Sequence, residues 1–154
     1  DAGNMVADAN PHRELRYVPP DSLRDYWEMI RPGLERVKES GKENWLIEDI
    51  YAAIKSNNAT LHVGYVASQY VGFVVLCPNK SWGLQMLHIW CLYLESSAKT
   101  ENTDAMIDFW PELVKMAQNI GARQIVMDTA RNGFERRLAG LGFKVNKLQM
   151  GCEV

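Results

Sequence analysis

The residues able to do acid–base, nucleophilic or ligand chemistry are few and scattered. His12 and His62 have no partner at ligand spacing, which speaks against a metal site. His88 stands alone on an apolar strand, where a hydrogen-bonded core histidine is expected before a catalytic one. Cys77, Cys91 and Cys152 are an odd number, widely spaced, which fits neither a disulfide framework nor a zinc site. They point instead to a reducing compartment, and Cys91 reads as a small buried hydrophobe rather than a nucleophile. Arg131, Arg136 and Arg137 form a basic group that suits a phosphate, an acidic partner surface or the exposed face of a short helix.

The elements that must position such groups centre on Arg123 to Phe143. Ile125 and Val126 are adjacent, so a strand over Gln124 to Met127 has two apolar faces, as a central strand between helical layers requires. Asn132-Gly133 permits a sharp turn. Phe134, Leu138 and Leu141 then recur at helical spacing, and Gly140 and Gly142 bracket the point where a left-handed residue ends the helix.

The 154 residues suffice for one domain with a real core and are too few for two ordinary ones. A net charge of −2 without a basic block gives no footprint for nucleic acid or a membrane surface. No apolar run is long enough to span a bilayer, and no signal peptide is visible.

In chain order, residues 1–13 are small, polar and aperiodic, so a mobile arm is expected before a single domain over 14–154. Met5 would be a natural start, with Asp1–Asn4 then appended. Leu15 to Val18 reads as a first strand stopped by Pro19-Pro20. Leu23, Trp27, Ile30, Leu34 and Val37 form an apolar helical stripe over Ser22 to Glu39, and Arg31-Pro32-Gly33 predicts a kink or two pieces. A second helix follows over Leu46 to Lys55. Strands over Thr60 to Ala67 and Tyr70 to Cys77, separated by Ser68-Gln69, form a hairpin, and Pro78 to Trp82 is the next turn. Gly83 to Leu94 is the longest strand, with Met86, His88, Trp90, Leu92 and Leu94 expected on one face and Leu87, Ile89, Cys91 and Tyr93 on the other. After the polar loop ESSAKTENT, Thr103 or Asp104 caps a helix that ends at Gly121, with Met106, Phe109, Leu113, Met116, Ala117 and Ile120 inward and Pro111 as a breaker. Lys144 to Val154 is expected as a last strand.

The strand–turn–helix ending in Leu141-Gly142-Phe143 resembles the C-terminal half of the GCN5-related N-acetyltransferase family, and Val71-Gly72-Phe73 is similar to that family's hairpin. The run Arg131, Gly133, Phe134, Arg136 or Arg137, and Leu138 is closer still to small acetyltransferase-like proteins of tailed bacteriophages. The element order β-α-α-β-β-β-α-β-α-β also matches the family, over residues 15–154. The resemblance implies an α/β fold, a mixed central sheet of about six strands with helices on both faces.

It further implies acetyl-CoA as the acyl donor, held where the fourth and fifth strands splay. Backbone of Leu92 and Leu94 would pair with the pantetheine arm as an added strand does. Ser96, Ser97, Lys99 and Thr100 would donate to the pyrophosphate at the helix tip, and Arg131 and Asn132 would complete the cofactor-binding set. Glu95 is then the candidate general base toward an amine, and Tyr93, or failing it Tyr70, the candidate general acid. Two departures stand against this. The loop ESSAKTENTDA has no glycine and carries Glu95, Glu101 and Asp104, which repel a pyrophosphate, and the family's tyrosine on the last short helix is replaced by an apolar residue near Leu138. The alternative is a non-catalytic binding module of the same fold, phage-encoded, partnered by phage structural proteins and acting in the host cytoplasm or the virion.

Overall fold

The computed structural model describes residues 12–41, 43–96, 105–128, 138–145 and 150–154, with the side chains of 81, 105 and 106 excepted. Among these, strand β1 (Arg13–Val18) leads through a single 3-10 turn (Pro20–Ser22) into helix α1 (Leu23–Gly41) and helix α2 (Ile47–Lys55). Strands β2 (Thr60–Val66), β3 (Gln69–Ser81) and β4 (Leu84–Leu94) follow as a meander, then helix α3 (Ala105–Asn119) and strand β5 (Gln124–Met127). The strands lie in chain order in one sheet, antiparallel except for the parallel pair β4–β5.

Helices cover both faces. On one, α1 and α2 bury Leu23, Ile30, Leu34, Ile50 and Ile54 against Leu61, Val63, Phe73, Val75, Cys91 and Tyr93. On the other, α3 brings Leu113 and Ala117 against Val74, Leu76, Leu87 and Ile89, and Phe109 against Val71. Arg13 and Asp108, 3.2 Å apart, tie β1 to α3. At roughly 25 cal/mol per Å² of apolar area removed from water, these two layers are the dominant favourable term in folding.

Several sequence expectations are corrected. α1 runs through Pro32 as one helix, which removes the two-piece alternative. Its buried stripe matches the expected one and adds Gly33, whose missing side chain lets the helix lie on two rings: a Cβ there would stand 2.5 Å from Tyr93 and 2.7 Å from Phe73. α3 also continues through Pro111, and Ile120, expected inward, is exposed beyond its end. β3 runs on through Pro78 to Ser81 instead of turning there. The reason is positional: β2 pairing stops at Thr60↔Leu76, so past Leu76 strand β3 has β4 on one side and no β2 neighbour on the other, and a missing N–H breaks no ladder bond. Of the expected last strand, the described residues 144–145 and 150–154 have no strand, and 146–149 lie outside the described residues.

The start of the expected final helix also lies outside them, as do the mobile arm's residues 1–11 and the capping candidates Thr103 and Asp104. Its end is described. Leu138 is buried, Gly142 has φ 93°, and the amides of Leu141 and Phe143 donate to the Leu138 carbonyl. Phe143 meets Trp110 of α3 with ring centroids 5.2 Å apart, so the Leu-Gly-Phe exit packs on α3.

Both hairpins turn on two residues in the left-handed region, Ala67-Ser68 and Trp82-Gly83, which is the geometry that matches strand twist. Trp82 adopts φ 52° while fully exposed, so it bears the left-handed penalty with no burial to offset it. Trp82→Asn is therefore expected to stabilise the protein by about 1 kcal/mol, read as a higher midpoint in urea with an unchanged slope.

Candidate active site

Two irregularities shape the sheet where the chemistry is expected. On the β5 side, β4 is paired only from Met86↔Gln124 to Ile89↔Met127. Among the described residues, Trp90 to Leu94 have no partner on that side, so this stretch presents the backbone edge of a central strand. On the β3 side the register jumps from Val75↔Cys91 to Leu76↔Ile89, leaving Trp90 as an extra residue, a β-bulge.

The bulge overturns the expected alternation of β4. Leu87 and Ile89 face α3, yet Cys91 and Tyr93 pack with α1 and α2, while Leu92 and Leu94 turn toward α3. One extra residue flips every later side chain, because side chains alternate with period two. Trp90 and Cys91 consequently both lie on the α1–α2 side.

Tyr93 is buried, and its hydroxyl accepts a hydrogen bond from Arg36 at 3.0 Å. Burial, followed by the charge of Glu95, raises its pKa. The Tyr70 hydroxyl is buried with no hydrogen-bond partner among the described residues, and burial together with Glu95 and Tyr93 pushes its pKa well above the usual phenol range. The structure thus gathers Tyr70, Tyr93, Glu95 and Arg36 at the helix end of β4. Glu95 is half-buried, and its amide donates to Val71 at 2.8 Å, which closes the β3–β4 ladder. Leu92 and Leu94 lie on the open edge, and Ser96 is exposed just beyond it. Ser97, Lys99, Thr100, Arg131 and Asn132, like Arg136 and Arg137, lie outside the described residues.

A second group sits at the closed end of the open edge. His88 Nε2 lies 3.5 Å from Asp128 Oδ2 across the β4–β5 seam. Trp90 meets Trp45, from the α1–α2 connection, edge-on at 6.5 Å, and the Trp45 indole N–H is buried without a partner among the described residues. Burial, with Glu43 adding to it, raises the Cys91 pKa far above the usual thiol value, so that sulfur stays a neutral thiol. His88 is therefore a partly exposed residue with a carboxylate beside it, in contrast to the enclosed core histidine expected from sequence. Its partner was not legible, because nothing in one chain's sequence states the β4–β5 register. Among the described residues no group of histidine, cysteine and carboxylate ligands has metal-binding geometry.

A void of about 30 Å³ on the α3 face is lined by carbon from Leu15, Gly64, Val71, Leu92, Phe109 and Leu113.

No protein-family model matches the chain, and no curated protein sequence matches it. Solved structures do. A ribosomal-protein-alanine N-acetyltransferase from Brucella melitensis superposes with a TM-score of 0.69 at 14% identity, covering 93% of this chain and 99% of that one. An aminoglycoside N-acetyltransferase solved in complex with CoA gives 0.67 at 12% identity, covering 94% and 95%. An aminoglycoside acetyltransferase from an uncultured soil metagenomic sample, in complex with sisomicin, gives 0.68 at 10% identity, covering 92% and 96%. The chain therefore has the acyl-CoA N-acyltransferase fold of the GCN5-related acetyltransferases.

Proposed function

We propose that this protein transfers an acetyl group from acetyl-CoA to an amine. The observation that carries the reading is the open edge of β4: Trp90 to Leu94 run past the last β5 pairing and lie next to a bulge. Unpaired strand backbone takes up an extended amide-bearing arm as it would another strand, and the pantetheine arm is such a group. Leu92 and Leu94 would hold it through backbone groups. Ser96, with Ser97, Lys99 and Thr100, would meet its phosphates, and Arg131 and Asn132 would add contacts at the turn after β5. The fold is shared with an enzyme solved with CoA bound, which supports the same donor.

A second reading is favoured by specific residues. The loop after β4 lacks glycine and carries acids, and the Tyr93 hydroxyl is engaged by Arg36. On that reading the chain is a binding module that has kept the fold, phage-encoded as the Arg131 to Leu138 run suggests, with a phage structural protein as partner in the host cytoplasm or the virion. Among the described residues no helix is long and apolar enough to cross a membrane.

Calorimetry and thermal denaturation with acetyl-CoA and free CoA separate the two. Binding with a dissociation constant of about 10 µM stabilises the protein at 1 mM ligand by about 2.7 kcal/mol. That is expected to raise Tm by roughly 5–10 °C. An unchanged Tm at millimolar acetyl-CoA removes the enzyme reading and leaves the binding module.

A further inference from the structure

Strand register delivers a histidine and an aspartate to the point where β4 and β5 part. His88 is opposite Val126, and Asp128, two residues on from Val126, shares its face. The side chain of His88 is 26% exposed and that of Asp128 87%, with Nε2 and Oδ2 3.5 Å apart, so the imidazole is open to a substrate while a carboxylate stands at its other nitrogen. The next residues on β4 are unpaired toward β5, and Trp90 with Trp45 walls the same face.

We propose that His88 accepts the proton of the attacking amine and that Asp128 positions it. This rests on the acyl-transfer reading above. A donor whose phosphates lie near the helix tip after Leu94 and whose arm runs back along the open edge has its reactive end at the closed end of the slot, beside Trp90 and His88. Glu95 is roughly 20 Å from His88 along the strand, at about 3.3 Å per residue, so the two do not serve one centre. The Asp128 carboxylate, 3.5 Å from Nε2, favours the ring proton on that nitrogen, which leaves the Nδ1 lone pair as the base. The amine nitrogen attacks the thioester carbonyl carbon and the C–N bond forms. The amine proton passes to Nδ1, the C–S bond breaks with its electron pair going to sulfur, and the thiolate takes a proton from solvent. Among the described residues the titratable groups around the imidazole are Asp128, just past the end of β5, and Cys77, its register partner on β3, whose thiol burial keeps neutral; Glu43 reaches the neighbouring Cys91 from the α1–α2 connection.

The test follows CoA release from acetyl-CoA by chromatography in the full chain. Spermidine, a lysine peptide and tryptamine serve as acceptor probes, and water as the acceptor in their absence. His88→Gln is expected to lower kcat by about a hundredfold or more, with acetyl-CoA affinity within twofold, and to abolish the acidic limb of the pH–rate profile. Asp128→Ala, at an exposed position that leaves the fold intact, is expected to lower kcat about tenfold and, in 15N-edited NMR of the ring, to shift His88 away from the Nε2–H tautomer. A His88→Gln protein that keeps kcat and the acidic limb overturns the assignment, as does a His88 ring whose tautomer ignores Asp128→Ala. Wild-type protein that binds acetyl-CoA but releases CoA no faster than buffer overturns the role of His88 and leaves the donor reading standing. Wild-type protein that binds no acetyl-CoA overturns both.

Discussion

Gly72→Ala is expected to destabilise the protein by about 3–5 kcal/mol, the range reserved for disruption of packed backbone. Gly72 has φ 153°, and a methyl there would collide with the Tyr93 carbonyl oxygen and stand 3.1 Å from Leu94 Cα. The obstacle is the backbone of the neighbouring strand, which cannot rotate away as a side chain would. β4 would have to move off β3 beside Tyr93 and Glu95, where the Glu95 amide closes the ladder on Val71. A drop in Tm of roughly 10 °C is the expected reading, since a domain of this size shifts by about 2–4 °C per kcal/mol. Gly64→Ala is the control: its Cβ would meet Phe109 and Val71 side chains at 3.4 Å, an ordinary contact. Equal losses in the two variants would mean that strand approach at Gly72 is not the cause.

His62 is expected to make the fold acid-sensitive between pH 6.5 and 4. It is 8% exposed on β2, one ring nitrogen 3.1 Å from the Thr60 hydroxyl and the other, Nδ1, without a partner among the described residues. Burial lowers its pKa from 6.5 to about 4. Above pH 6.5 the ring is neutral in both states and protonation favours neither. As pH falls below 6.5 the unfolded chain takes up a proton that the folded chain refuses, so stability is lost. The loss reaches about 3 kcal/mol near pH 4 and then levels off, because below that both states are charged. Urea unfolding of wild type and His62→Leu at pH 7 and 4.5 reads this directly. The variant removes a buried polar atom with no partner and is expected to be at least as stable at pH 7. At pH 4.5 it should exceed wild type by about 2–3 kcal/mol. Parallel acid profiles for the two proteins would assign the sensitivity to other groups.

Much of the fold was legible because its signals are local. The stripe Leu23, Trp27, Ile30, Leu34 and Val37 repeats at helical period and is inward in α1. The adjacent Ile125 and Val126 marked β5 at Gln124–Met127, and the Leu-Gly-Phe exit carries its left-handed glycine at Gly142. The punctuation residues were less dependable. Pro32 read as a kink or a break, Pro111 as a breaker and Pro78 as the start of a turn, yet single helices run through the first two and β3 runs through the third, past the end of its pairing with β2.

What the sequence determined by itself is the order of elements from β1 to β5, the inward stripe of α1 and the presence of a tight hairpin between β2 and β3, each set by neighbours within a few positions along the chain. What only the tertiary structure decided is which groups share the site. The bulge at Trp90 sends Tyr93 under α1 onto Arg36, and the four-residue pairing of β5 sets Asp128 beside His88 and leaves Trp90 to Leu94 without a partner on that side among the described residues. Those are matters of register between strands far apart in sequence. A shift of one residue preserves every local pattern and exchanges the two faces, so packing of both layers against the sheet had to choose.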